Sequence, residues 1–258
     1  PFFIGIHEVT NAQYEEFDPA HRQLRGRLGF SKGDDEAVVF VSWEDANRFC
    51  RWLSEKEGLP YRLPTEAEWE FSCRAGTTSY FHTGDQLPDA YLKNARESAY
   101  PCTGRTVPED IVSLKVGSTP ANPWGLYEMH GGVEEWCQDW YGPYVAGPQI
   151  DPVGRSSGEF RVLRGGCHST PRFYLRSANR VGSIPDDSSW MIGFRVVLGD
   201  LPESEPLPSL EAQEPFNLNV SQEVPADLRD GPDPSKPYFE GSRQYIKIDE
   251  DATGPIFY

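Results

Sequence analysis

Five cysteines, at positions 50, 73, 102, 137 and 167, are the residues of this chain best suited to redox or soft-metal chemistry. Neighbouring cysteines lie 23 to 35 positions apart and no C-x-x-C occurs, so neither a zinc site nor a dithiol motif is supported. The odd count leaves at least one thiol outside any set of internal disulfides. Disulfides stay open, but we expect Cys50 and Cys73 to be small buried hydrophobes, the usual fate of a free cysteine. A second candidate chemistry sits in Trp124–Tyr141, which reads W-G-L-Y-E-M-H-G-G-V-E-E-W-C-Q-D-W-Y. So dense an aromatic cluster is expected inside a core. The Gly131-Gly132 pair within it calls for positive φ or a close backbone approach. Glu134, Glu135 and Asp139 follow at once; they are either solvated or able to hold a hard cation with backbone carbonyls.

The elements that must position these groups announce themselves by their caps. Thr10-Asn11-Ala12-Gln13, Ser42-Trp43-Glu44-Asp45 and Thr65-Glu66-Ala67-Glu68 each read as a capping box. They predict helices to about Phe17, to a stop at Gly58, and through Arg74. In the second, Trp43, Ala46, Cys50 and Leu53 recur at helical spacing. Arg62, Glu66, Glu68 and Glu70 could do acid–base work, but acids at a helix start are better read as caps, dipole partners and surface ion pairs. Phe2–Ile6, Phe160–Arg164 and Gly193–Leu198 read as strands. Asp18–Glu36 and Gly142–Gly158 read as loops, and Arg74–Pro120 as a long irregular connection of the kind that is functional, metal-held or mobile.

Composition removes several partner classes. The 258 residues carry 24 Lys+Arg against 40 Asp+Glu, a net charge of −16. Nucleic acid is not an expected partner, because phosphate binding needs clustered basic residues. Adhesion to anionic membranes is disfavoured for the same reason. No apolar run reaches the roughly 18 residues of a membrane span. The first residue is Pro1 and no signal peptide is visible; we read the chain as a fragment.

The Trp124–Tyr141 stretch resembles the W-G-L-x-x-M-x-G-N-V-W-E-W-x-x-D-W-Y signature of the formylglycine-generating enzyme, or sulfatase-modifying factor, family. "E-V-T-N-A-Q-Y-x-x-F", "Y-R-L-P-T-E-A-E-W-E-F", "R-V-L-R-G-G", Arg176–Arg180 and "G-F-R-V-V" resemble the family as well. The resemblance implies an α+β fold, an irregular loop-rich variant of the C-type lectin fold with short antiparallel strands and a few helices. It covers residues 1–199 as the family domain. Residues 200–226 follow as a Pro/Glu-rich linker, and 227–258 as the start of a downstream module that weakly resembles the lead-in to a sialidase-like β-propeller. Two departures stand out: Gly132 replaces the family's Asn, and Glu134 its middle Trp.

Active members of the family are copper-dependent oxidases that convert a sulfatase cysteine to formylglycine. They carry two cysteines between the Gly-Gly turn and the Arg-Ser-Ala stretch. Here that segment, Cys167–Leu175, holds Cys167 alone and looks about three residues short, and the thiol positions fall near Thr170 and Arg172. Copper is therefore not expected, although the oxidase remains the alternative function. The preferred expectation is a non-catalytic module, part of an exported multidomain protein, that binds an unidentified ligand, protein or peptide. His168, Thr170, Arg172, Tyr174 and Trp190 would form its ligand-binding surface. The resemblance also implies structural Ca²⁺. One site would use Asn94 and Asp110, with solvated turn residues as the equal alternative. A second, weakened by Gly132, would use Glu135.

Overall fold

Three helices start where a side-chain oxygen takes over an orphan backbone donor. The computed structural model describes residues 1–92 and 112–209, all within one compact unit, Pro1–Glu211. Helix α1 (Asn11–Phe17) is capped by Thr10, α2 (Trp43–Glu57) by Ser42 and α3 (Glu66–Arg74) by Thr65. All three are reciprocal capping boxes: the cap hydroxyl accepts from the third helical N–H, and Gln13, Asp45 or Glu68 accepts the cap's own N–H. Helix α2 ends at Gly58, as its sequence predicts. The Asp18–Glu36 stretch is more ordered than a plain loop, because Pro19–Leu24 and Arg27–Gly29 form short 3₁₀ helices. Asp18 caps the first of them, and its Oδ1 accepts from Ala20 N.

The strands are short and form two sheets. In one, β1 (Phe3–Ile4) and β2 (Tyr61–Arg62) flank β7 (Val197–Leu198), both antiparallel to it. In the other, the order is β5 (Arg180–Ser183), β4 (Arg161–Arg164), β3 (Glu134–Trp140) and β6 (Ile192–Gly193). The β3–β4 and β4–β5 pairs are antiparallel, while β3–β6 is parallel. The single closing strand expected over Gly193–Leu198 is in fact divided. Its start pairs with β3 and its end with β1 and β2, so Phe194, Arg195 and Val196 pass from one sheet to the other. Phe194 and Arg195 are buried in that passage. Alternation along the sequence marks which face a residue takes, but not which sheet receives it.

The main core joins α1, α2 and the four-stranded sheet through Tyr14, Trp43, Phe49, Trp136, Leu163 and Phe194. A second cluster packs Trp69 and Cys73 of α3 against Met129, Cys137 and Val162. Cys50 and Cys73 are buried free thiols, as are Cys137 and Cys167. Desolvation pushes Cys50 and Cys73 up to about 12, which keeps both protonated. Cys102 lies outside the described residues. Within the aromatic stretch, Leu126, Met129, Val133 and Trp136 are core, but Trp124 is exposed and stands edge-on to the exposed Phe71. Its place just after Pro123, before β3 begins, leaves it outside the packed layer.

The first residues of the Pro/Glu-rich stretch run along the domain. Leu207 N donates to Gly154 O and Ser156 N to Leu207 O, both at 2.8 Å, and Arg155 Nη1 donates to Pro208 O at 2.8 Å. Ser204 Oγ donates to Ile150 O at 2.9 Å. No helix among the described residues is long and apolar enough to cross a membrane.

Candidate functional site: a single-thiol loop on a buried ionic frame

A buried ionic frame fixes the loops. Glu135 on β3 and Arg195 are both fully enclosed, and Arg195 Nε and Nη2 donate to the two carboxylate oxygens at 2.5 and 2.7 Å. Trp69 Nε1 adds a third donor to Glu135 Oε2 at 2.7 Å. The remaining Arg195 donors reach Gly5 O and Tyr127 O, so one guanidinium ties β3, the chain just after β1 and the loop before Gly131, while Trp69 joins α3 to the same carboxylate. Burying a charge without such a partner costs several kcal/mol, of order 3–5 when one member of a pair is removed. These contacts engage both oxygens of Glu135. Asn94 and Asp110 lie outside the described residues. A second frame lies below β4: Arg180 Nε and Nη2 donate to Glu66 at 2.6 and 2.5 Å, and the enclosed Arg164 pairs with Glu70. Glu66 and Glu68 are buried, so the pairing expected at the surface is largely internal. Glu68 takes both a cap N–H and a bidentate Arg62.

The departure at Gly132 has a local cause. Its φ is +87°, and a Cβ there would fall 2.6 Å from Oε1 of Glu8, a wholly buried residue. Any side chain at 132 would have to displace that carboxylate. Glu134, the second departure, is desolvated and lies near Asp187. Its carboxyl is pushed up to about 7, first by burial and then by Asp187.

After the Gly165-Gly166 turn the chain folds back on itself. A Cβ on Gly166 would lie 2.6 Å from Leu175 Cδ2, so the turn has room only for glycine. Cys167 Sγ is buried beside two hydroxyls, Ser169 Oγ at 3.1 Å and Thr170 Oγ1 at 3.4 Å. Burial, and then the nearby Glu134, raise this thiol above its ordinary value, so it is not poised as a thiolate. Thr170 also accepts from Cys167 N at 2.9 Å, which closes the turn. Leu175 is the loop's apolar anchor, and its carbonyl accepts from His130 Nδ1 at 2.8 Å. His130 Nε2 lies 2.9 Å from His82 Nδ1. Burial and His82 hold His130 at about 3, so the imidazole is neutral at ordinary pH.

Of the five residues expected to make a ligand surface, the structure brings two to solvent. Arg172 is exposed and pairs with Asp89 at 2.5 Å, and Tyr174 is exposed. Thr170 is half-buried in the turn. His168 is buried, with its ring 4.7 Å from Phe30 and 5.2 Å from Trp190, and Trp190 stacks on Phe30 at 4.5 Å. Those two rings therefore pack into the wall beneath the loop. The exposed Phe173 and Tyr80 and the half-buried Arg176 complete this face. Phe173 stands edge-on to Tyr174, and the Arg176 guanidinium lies over Phe173 at 3.8 Å and over Tyr80 at 5.7 Å. Tyr80 comes from the connection after α3, nearly a hundred positions earlier, and no local pattern could have placed it here.

Among the described residues, the donor set around Cys167 does not suit copper. Cu(I) asks for soft thiolates, and Cys167–Leu175 supplies one thiol, hydroxyl-bonded and buried. Cys73 and Cys137 pack in a separate cluster with Trp69 and Met129. Among the described residues, no group of three or more His, Cys, Asp or Glu could hold a metal ion.

Comparison with known proteins bears on the family and the fold. Residues 1–199 match the model of the sulfatase-modifying factor enzyme 1-like domain. The formylglycine-generating enzyme of Streptomyces coelicolor is 34% identical over 203 residues, covering 76% of this chain and 60% of that protein. The serine/threonine-protein kinase pkn1 of Chlamydia caviae is 34% identical over 223 residues, covering 77% of this chain and 33% of that protein. The inactive C-alpha-formylglycine-generating enzyme 2 of Mus musculus is 30% identical over 165 residues, covering 61% and 47%. This chain thus spans between a third and 60% of the length of these relatives. Among solved structures, variable protein 1 of Treponema denticola superposes with a TM-score of 0.63 at 24% identity, covering 78% of this chain and 84% of that one, a likeness of fold. With its capped helices, two small sheets, buried Glu135–Arg195 frame and matched length, the chain belongs to the sulfatase-modifying factor enzyme 1-like family.

Proposed function

We propose that residues 1–199 form a non-catalytic formylglycine-generating-enzyme-like domain that binds a protein or peptide partner within a larger, exported, multidomain protein. The observation that carries this reading is the Cys167–Leu175 loop: one buried thiol where the oxidase needs two, next to an exposed face of Tyr80, Arg172, Phe173, Tyr174 and Arg176. Aromatic rings with a stacked guanidinium are the residue types that anchor interfaces. Relatives named as an inactive formylglycine-generating enzyme and as a kinase support a scaffold reused without oxidase chemistry and joined to other domains. Calcium at Asn94 and Asp110 belongs to the same proposal. It predicts that added Ca²⁺ raises the melting temperature and that chelator reverses the rise; no shift with either would remove it.

The oxidase reading rests on the 34% identity to an active relative, and one assay separates the two. The protein is mixed with Cu(I), O₂ and a cysteine-containing sulfatase peptide, and the peptide is examined by mass spectrometry. The binding-module reading expects no aldehyde. Aldehyde formation that Cys167→Ser abolishes would overturn it.

A further inference from the structure

A cleft of about 450 Å³ opens on the side of the domain formed by α3, the chain after β3 and the Asp151–Ser156 loop. That volume lies within the range of small-molecule sites. No residue of Cys167–Leu175 lines it, so it is separate from the loop face described above. Its apolar surfaces are the rings of Phe71, Trp140 and Tyr144, with Leu207 from the docked C-terminal segment as a further wall. Phe71 is 60% and Tyr144 65% exposed; Trp124 stands edge-on to Phe71, and the Arg180 guanidinium lies 4.1 Å from the Tyr144 ring centre.

The polar groups are matched except at two atoms, the buried Arg155 Nε, which has no partner among the described residues, and Asp139 Oδ1. Arg180 is held by Glu66, Arg74 by Glu70 and the Ser79 carbonyl, and Arg155 by the carbonyls of Pro143 and Pro208. Tyr144 OH donates to Glu66 Oε1 at 3.0 Å. Asp139, on the cleft floor, is 4% exposed; its Oδ2 accepts from Glu66 N at 2.7 Å, and Oδ1 receives no hydrogen bond from the described residues. A ligand donor could reach that oxygen, and a ligand acceptor could take the Arg155 Nε–H. Burial pushes the Asp139 carboxyl up to about 7, so it can meet a neutral donor or acceptor.

Three carboxyl groups and three guanidiniums line the cleft, a near balance of charge that gives it little with which to select an anion or a cation. What remains is an open carboxyl oxygen between aromatic faces. We propose that this cleft binds a neutral saccharide, one ring face against Phe71 or Tyr144 and a hydroxyl on Asp139 Oδ1. A pyranose offers both features at once: an apolar face of C–H groups and a rim of hydroxyl donors.

The test is a titration of the full chain with glucose, galactose, mannose, N-acetylglucosamine, maltose and cellobiose by saturation-transfer NMR and calorimetry, beside lysine and inorganic phosphate as charged probes. At least one sugar is expected to bind, and Phe71→Ala or Tyr144→Ala should weaken it by about tenfold, a change of about 1.4 kcal/mol. Phe71 is exposed, so Phe71→Ala should leave the melting temperature unchanged, whereas Tyr144→Ala also removes the hydrogen bond to Glu66 and the Arg180 contact and is compared well below its own melting point. Asp139→Asn, which keeps an acceptor but not the charge, should retain part of the affinity, and Asp139→Leu should lose it. No sugar binding at about 10 mM, binding of only the charged probes, or sugar binding untouched by both ring variants would each overturn the proposal. Aldehyde production in the oxidase assay would retire the non-catalytic reading and leave this one standing, because the two sites share no residue of the Cys167 loop.

Discussion

Glu134 and Glu135 are neighbours on β3, point to opposite faces, and meet opposite treatment. Glu135 receives Arg195 and Trp69 and is fully enclosed. Glu134 receives burial and the like charge of Asp187, which push it up to about 7, and it lies beside the Cys167 loop. One strand thus separates an interior frame, in which every charge is matched, from a loop side on which charges are poorly compensated and rings reach solvent. The frame holds the fold together, and the loop side carries the exposed rings. The loop can lose a thiol pair without disturbing the frame, because no residue of Cys167–Leu175 belongs to the Glu135–Arg195 pair.

Breaking the frame should have the largest effect. Arg195→Met leaves Glu135 buried with only Trp69 as donor, and should cost about 3–5 kcal/mol. For a domain of this size that lowers the melting temperature by roughly 6–20 °C, readable by circular dichroism. Glu135→Gln should fall in the same direction. A loss under about 1 kcal/mol would mean that the pair holds little of the fold together.

The contrast sharpens with pH. A carboxyl raised in the folded state keeps its proton when the unfolded chain has already lost it. Glu134 and Asp139 therefore stabilise the fold least above about 7, and their contribution grows as pH falls through that value toward the ordinary carboxylate range. His130 works the other way. Held at about 3 against an ordinary 6.5, it costs stability as pH drops below 6.5, since the unfolded chain takes up a proton that the folded one refuses. Glu134→Gln should accordingly gain most over the parent at pH 8 and little at pH 4, in melting temperatures taken across that range. An equal gain at both would show that Glu134 is not desolvated.

Helix ends sit between these extremes. Thr65→Ala removes one half of a capping box and should cost about 1 kcal/mol. The smallest effect belongs to the loop: Phe173→Ala and Tyr174→Ala are expected to move stability by no more than about 0.5 kcal/mol, while removing partner binding if the face is an interface. A large destabilisation would make those rings core and dissolve the distinction.

Local features were legible in the sequence, and long-range ones were not. All three capping boxes could be read because four consecutive residues contain the whole hydrogen-bond exchange. The positive φ at Gly131 and Gly132, +119° and +87°, was equally local. By contrast, the partner of Glu135 is sixty positions away, and Tyr80 reaches Arg176 across nearly a hundred. His168 and Trp190 read as surface because nothing nearby in sequence reveals that Phe30 waits between them. The split of Gly193–Leu198 between two sheets was hidden for the same reason: a period of two reports faces, not partners. Residues 201–209 have a linker's composition yet hydrogen-bond along the Ile150–Ser156 loop through backbone groups, which composition does not encode.

The central claim is that a sound frame carries a loop unable to grip a soft metal. Titration of Cu(I) against bicinchoninate, with the full chain and its Cys167→Ser variant side by side, tests it most directly. The account predicts that neither protein withdraws copper from the chelator and that the two curves coincide. Stoichiometric withdrawal by the parent, lost in Cys167→Ser, would contradict it.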